Sequence, residues 1–116
     1  VLSYTTSPAY HQMVENEKKY KAAIFDQGHF LQIEVAAVTK KGAQSKLSFD
    51  FLEFMLGDQF QTVIPTTNWM YPATDIMLPD TFKNLDKPNI SLLMKPDEVE
   101  INRKEWISEW RRASIQ

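Results

Sequence analysis

The residues best suited to chemistry in this 116-residue chain are aromatic, and several stand beside turns instead of inside periodic segments. Tyr4 and Tyr10 flank Ser7-Pro8, and Asn68-Trp69-Met70-Tyr71-Pro72 places an indole where no periodic pattern would bury it. An aromatic face attracts a cation within about 6 Å by roughly 0.5–2 kcal/mol, and by more when the pair is desolvated. Several faces around one pocket could therefore hold a flat cationic ligand by stacking and charge together. The same rings could instead plug the surface of a domain, and core packing is the expected role of most of the seven Phe, four Tyr and three Trp.

Other chemistry is sparse. His11 and His29 are the only histidines and are not at a metal-ligand spacing, so each is expected on the surface or as a cap. Gly28, Gly42 and Gly57 are too few and too scattered for a phosphate-cradling loop. Glu34, on the polar face of its segment, is a candidate functional carboxylate or simply a solvated or ion-paired one. With no cysteine, disulfides, thiolate metal sites and a cysteine nucleophile are excluded. Thirteen basic against fifteen acidic residues leave a net charge of −2, which carries no electrostatic footprint for nucleic acid. No apolar run approaches the roughly 18–20 residues of a membrane span. Neither a catalytic residue nor a metal site is expected.

The elements that must position the aromatics follow from pattern. Val1, Leu2, Tyr4 and two threonines suit a strand, and Ser7-Pro8 suits a helix start, with serine as N-cap and proline at the first helical position. A strand running directly into a helix is where open α/β sheets bind ligands. A short helix is expected over residues 8–17 with Met13 and Val14 inward, then a strand of mixed pattern over 20–25. Residues 30–39 alternate as a strand buried on one face, with Leu31, Ile33, Val35 and Ala37 on that face. Over residues 43–56, Leu47, Phe51, Phe54 and Met55 form one helical stripe, ended by Gly57. A second short helix is expected over 58–64, with Phe60, Val63 and Ile64 inward and Pro65 ending it. Residues 66–88 read as a long surface connection, of the kind that is often functional, and 89–94 as a brief strand or an extended crossing. The last helix starts at Pro96, with Asp97, Glu98 and Glu100 near its positive pole and Arg111 and Arg112 near the other. Val99, Trp106, Ile107, Trp110 and Ala113 are its expected buried stripe. The order implies an α/β class with too few strands for a self-sufficient sheet. A chain that opens in a strand without a methionine also reads as cut from something larger.

Five segments together carry a family resemblance. They are the opening Ser3-Tyr4-Thr5-Thr6-Ser7-Pro8-Ala9-Tyr10-His11, the segment Gln32-Ile33-Glu34-Val35-Ala36-Ala37, Ile64-Pro65-Thr66, Asn68-Trp69-Met70-Tyr71-Pro72, and Trp106-Ile107-Ser108-Glu109-Trp110-Arg111-Arg112-Ala113. In this order they resemble the C-terminal part of the thiamine-binding solute receptors of ABC importers in Gram-negative bacteria. The resemblance runs over nearly the whole chain and implies the C-terminal lobe portion of a type II periplasmic-binding-protein fold. Residues 1–116 would then be a single fragment, with the N-terminal lobe absent. It implies a periplasmic location and a ligand that is thiamine, thiamine monophosphate or thiamine diphosphate, with no cofactor and no catalysis. By resemblance, Tyr10 and Trp69 face the ligand's rings and thiazolium charge, and the Tyr4 hydroxyl reaches toward its phosphate or hydroxyethyl end. Ser3, Thr5 and Asn68 are further polar candidates. Where the family loop is expected to carry a glycine, this chain has Thr67, a β-branched residue that resists positive φ.

The implied partners are the small molecule, the importer's membrane subunits and the missing lobe. Exposed apolar surface where that lobe belongs could also drive dimerisation. Three alternatives stay open: a ferric-ion or other small-solute receptor of the same fold, a fold-related thiamine-processing enzyme, and a structural domain whose aromatics pack a partner.

Overall fold

The computed structural model describes residues 2–115 and divides into two compact units. Unit 1 comprises Val1–Ile24 and Ile33–Lys87; unit 2 comprises Phe25–Gln32 and Pro88–Gln116.

Unit 1 begins with residues 2–6, which form no strand; Val1 of that expected strand lies outside the described residues. Helix α1 spans Ser7–Val14. Its N-cap is Thr6, one residue earlier than the serine the pattern favours, and Pro8 occupies the first turn, where a missing N–H costs nothing. Ser7 is therefore inside the helix, and its hydroxyl pairs with that of Ser3 at 2.6 Å. At the other end Asn16 takes the left-handed conformation, φ 54°, which lets the Glu17 N–H donate to the His11 carbonyl at 2.9 Å. The buried residues of α1 are Pro8 and Ala9, not Met13 and Val14, which are exposed. Packing decides this, because it is Ala9, near the start of α1, that meets Phe82 and Leu85.

A single turn of 3₁₀-helix at Gly42–Gln44 leads into α2, Lys46–Leu56. The stripe of Leu47, Phe51, Phe54 and Met55 is present at helical spacing, yet no α2 residue is buried, and Leu47 is 74% exposed. Along this stripe Phe51 lies 6.2 Å from Phe54, and Phe54 meets Phe60 edge-on at 5.8 Å. Gly57 ends α2 with negative φ and at the same time is the N-cap of α3, Asp58–Gln61. Pro65 does not end a helix. It sits in the first turn of α4, Ile64–Thr67, and is fully buried.

The stretch read as a surface connection supplies most of the core. Helix α5, Asp80–Lys83, carries Phe82, which is 0% exposed and packs with Ala9 and Leu85; Trp69 and Leu78 lean on that cluster. Lys83 donates to Asp80 at 2.8 Å; this hydrogen bond, and then the lysine's charge, hold the Asp80 carboxyl below its usual range.

In unit 2, β1 (His29–Phe30) pairs in parallel with β2 (Ser91–Leu92), with His29 opposite Ser91 and Phe30 opposite Leu92. The expected strand over 30–39 shrinks to this, and 20–25 forms none. Alternation prepares a strand but does not make one, because a ladder needs a partner backbone. β2 supplies one only as far as the Leu31 N–H, which donates to the Leu92 carbonyl at 2.9 Å. Gly28 allows the approach: its φ is +100°, and a Cβ there would sit 2.9 Å from the Ile90 carbonyl oxygen. Helix α6, Pro96–Ser114, has its proline, acidic first turn and basic last turn where the pattern put them. Its stripe is not buried: Val99 and Trp106 are half-covered, whereas Ile107, Trp110 and Ala113 are exposed.

Phe82→Ala is expected to lower the unfolding free energy by about 3–5 kcal/mol in denaturant titrations. Gly28→Ala should cost about 1–3 kcal/mol by the same measurement, because it combines left-handed strain with a backbone collision.

Candidate functional site

The aromatic site stands on three short elements of unit 1. Tyr10 projects from α1, Trp69 follows α4, and the residues after it run toward α5. Tyr10 and Trp69 meet at right angles, with centroids 5.1 Å apart and planes 88° from parallel. Edge-to-face contact of this kind sets a positive ring edge against a negative face. It also forms a corner of two perpendicular walls, against which a flat cation can stack on one ring and be attracted by the other. Tyr10 remains 36% exposed, so the corner is open. The rings continue through His11, 5.4 Å from Tyr10, to Tyr20, 4.2 Å from His11, whose imidazole pairs with Glu15 at 2.7 Å. His29 accepts from the Phe25 N–H through Nε2 at 3.0 Å, across a turn and at no helix end.

Trp69 owes its position to an uncommon backbone. Asn68 is the C-cap of α4, its N–H donating to the Ile64 carbonyl, and Trp69 after it has φ 57°. That place in a helix end usually falls to glycine. For a residue with a Cβ the left-handed region costs roughly 1–2 kcal/mol. Thr67, the residue expected to resist positive φ, does not need it; it closes α4 with its hydroxyl donating to the Val63 carbonyl at 2.7 Å. The left-handed turn falls two residues later.

Several contacts hold the turn in place. Asn68 Nδ2 donates to Glu34 Oε2 at 3.0 Å and approaches the Met70 sulfur at 3.3 Å, leaving Oδ1, an acceptor, as the amide's remaining polar atom. Gln61 is 4% exposed; its Nε2 donates to the Met55 carbonyl at 2.6 Å while its Oε1 accepts from the Ala73 N–H at 2.7 Å. Tyr71 meets Phe82 edge-on at 5.6 Å, and the Lys87 ammonium lies 5.3 Å from its ring centre. Burial pushes the Tyr71 hydroxyl above its usual pKa. Gln61 carried no signal in the sequence, since a glutamine in a short amphipathic stretch reads as solvated. Glu34 was legible as a carboxylate, but not its partner 34 positions away.

The remaining candidates have other surroundings. Tyr4 is 62% exposed, and its carbonyl accepts from the Ser7 N–H. Ser3 is held by Ser7. Thr5 lines a separate pocket of about 140 Å³ with Pro8, Gln12, Lys18 and Tyr20, which neither Tyr10 nor Trp69 lines. Among the described residues no cluster of three or more metal-ligating side chains occurs, and no helix is long and apolar enough to cross a membrane.

This mixed helix-and-strand architecture matches part of a periplasmic binding protein. The solved structure concerned is a periplasmic thiamin binding protein, with a TM-score of 0.84 and 52% identity over 97% of this chain and 36% of that one. The thiamine-binding periplasmic protein of Salmonella typhimurium is 52% identical over 113 residues, 97% of this chain and 35% of that protein. The protein of the same name from Brucella melitensis is 53% identical over 116 residues, 98% of this chain and 35% of its own length. The Haemophilus influenzae protein is 33% identical over 116 residues, 96% of this chain and 33% of its own length. No family model matches the chain. The resemblance drawn from the motifs and the α/β fold class are thus both borne out. The chain spans about 35% of the length of the curated relatives it matches.

In an alkaline titration followed by tyrosinate absorbance, the transition that Tyr71→Phe removes should lie above the usual tyrosine value. The folded chain keeps this phenol protonated to higher pH than the unfolded chain does. Its contribution to stability is therefore complete below about pH 10 and is lost as the pH climbs through the raised folded-state value.

Proposed function

We propose that this chain is the C-terminal lobe portion of a two-lobed periplasmic receptor that binds thiamine and its phosphate esters and delivers them to an ABC importer, without catalysing a reaction. The observation that carries this reading is the Tyr10–Trp69 corner, standing in a chain 52% identical to thiamine-binding periplasmic proteins over 97% of its length. Thiamine is flat, aromatic and cationic, and two perpendicular aromatic walls offer it both stacking and charge attraction. The names of the relatives, all binding proteins, support a receptor in place of an enzyme.

In this reading Tyr10 and Trp69 take the rings and the thiazolium charge. The exposed Tyr4 hydroxyl reaches the phosphate or hydroxyethyl end, with Ser3 and Thr5 near it in sequence. Asn68 contributes its free acceptor, Oδ1, to an amine donor of the ligand. Closure of the second lobe over this corner would exclude water and strengthen each of these contacts, and the closed form would dock on the importer.

Tyr10→Ala or Trp69→Ala in the full-length polypeptide should each weaken thiamine binding by roughly tenfold or more in calorimetry, the range expected for a desolvated cation–aromatic contact. Unchanged affinity in both would leave these rings a packing role only. The 116-residue chain alone should bind thiamine weakly or not at all, since it supplies one wall of the cleft; sub-micromolar affinity of the isolated chain would contradict the two-lobed reading.

A further inference from the structure

Glu34 is a long-range side-chain hydrogen-bond partner of the turn that carries the indole. It reaches Asn68 across 34 positions of sequence, and Asn68 directly precedes a tryptophan held in the left-handed region. A non-glycine residue in that region persists only where its surroundings over-determine it, and such residues concentrate at ligand sites. Three restraints act on this one. The Asn68 N–H caps α4 by donating to the Ile64 carbonyl at 2.9 Å, the indole leans on the Ala9–Phe82–Leu85 cluster, and the Asn68 amide is tied to Glu34. The first two act on the helix end and on the ring. The third alone ties the turn to the segment over residues 33–39, which has no regular structure of its own.

The chemistry of the pair makes the restraint directional. A carboxylate only accepts, so it selects the Nδ2 side of the asparagine amide and fixes which way the amide faces. This exposed hydrogen bond restrains the Asn68 side chain, and through it the residue whose carbonyl carbon begins the Trp69 φ torsion.

We propose that Glu34 is a positioning residue of the aromatic site: through Asn68 it holds the left-handed turn that sets the Trp69 indole against Tyr10. This rests on the receptor reading of the corner and goes beyond it by assigning a role to a side chain outside the pair of rings. Ligand affinity scales with the fraction of molecules whose indole is in the competent position. Releasing the tether lowers that fraction and weakens binding without removing any ligand contact.

The test is a set of calorimetric thiamine titrations on the full-length polypeptide carrying Glu34→Ala, Glu34→Gln, Asn68→Ala, Trp69→Ala and the double variant Glu34→Ala/Trp69→Ala, each first checked by thermal melting. Glu34→Ala should raise Kd about fivefold, as expected if the competent fraction falls to about one-fifth. Glu34→Gln keeps an acceptor for Nδ2 and should stay within about twofold of the parent. In the Trp69→Ala background Glu34→Ala should add nothing, because there is no indole left to position. If Glu34→Gln is as damaging as Glu34→Ala, the carboxylate acts on the ligand by charge and the positioning role is overturned. Equal cost of Glu34→Ala with and without the indole overturns it too, as does no cost at all. Should Glu34→Ala not fold, Asn68→Ala cuts the same tether from the other side and also removes the Oδ1 contact, so its loss should be at least as large, and smaller once Trp69 is already alanine; an unchanged Kd there overturns the proposal. The two readings fail separately: if Trp69→Ala leaves affinity intact, the corner itself is not the binding site and both fall, whereas loss in Trp69→Ala without loss in Glu34→Ala sinks this inference alone.

Discussion

The contact on which unit 1 depends is the one made by Phe82. Its ring is completely removed from solvent between Ala9 of α1 and Leu85 just beyond α5. Full burial of a phenylalanine contributes about 1.5–3 kcal/mol from transfer alone, a large share of what so small a cluster can supply. The same ring meets Tyr71 at a right angle, and its cluster receives the indole of Trp69. The helix bearing Tyr10 and the loop bearing Trp69 and Tyr71 are therefore assembled on a single hydrophobic contact, which is why residues far apart in sequence form one aromatic corner.

Around that contact the site is held by polar atoms that can be satisfied only in one arrangement. Gln61 uses both ends of its amide to join the end of α2 to Ala73. Losing a buried partner of this kind leaves a donor and an acceptor unpaired at about 1–3 kcal/mol each. Asn68 caps α4 with its backbone and reaches Glu34 with its side chain. Between these two fixed points the chain crosses the left-handed turn at Trp69. Strain at the indole is thus offset by hydrogen bonds on either side of it, an arrangement that favours a pre-set ring over a mobile one.

Where periodicity and structure part, the reason is the same each time. The alternation from Leu31 to Ala37, the stripe on α2 and the stripe on α6 are all real patterns, but each describes a face that needs something against it. β2 covers the first residues of one, and little within the described residues covers the others. Conversely, the irregular stretch after Thr66 looked like surface, because Phe82 and Leu85 sit among prolines with no repeat to announce them, and it holds the core. Hydrophobic pattern reports what a segment is able to bury, and only neighbours determine whether it does.

Read alone, the sequence was enough to place the last helix with its proline start and charged ends, the end of α2 at Gly57, the brief strand near Ser91, and the aromatic residues worth attention. These features depend on local chemistry: backbone freedom, helix-end electrostatics and residue type within a few positions of each other. Its motifs were also specific enough to carry the resemblance that the 52% identity bears out. Tertiary structure alone decided that Tyr10 meets Trp69 at a right angle, that positive φ falls on Trp69 and not on Thr67, and that Glu34 and Gln61 are the polar groups joined to that loop. Each of those is a contact between residues whose separation in sequence says nothing of their distance in space. They exist only once Phe82 has drawn α1, the loop and α5 together.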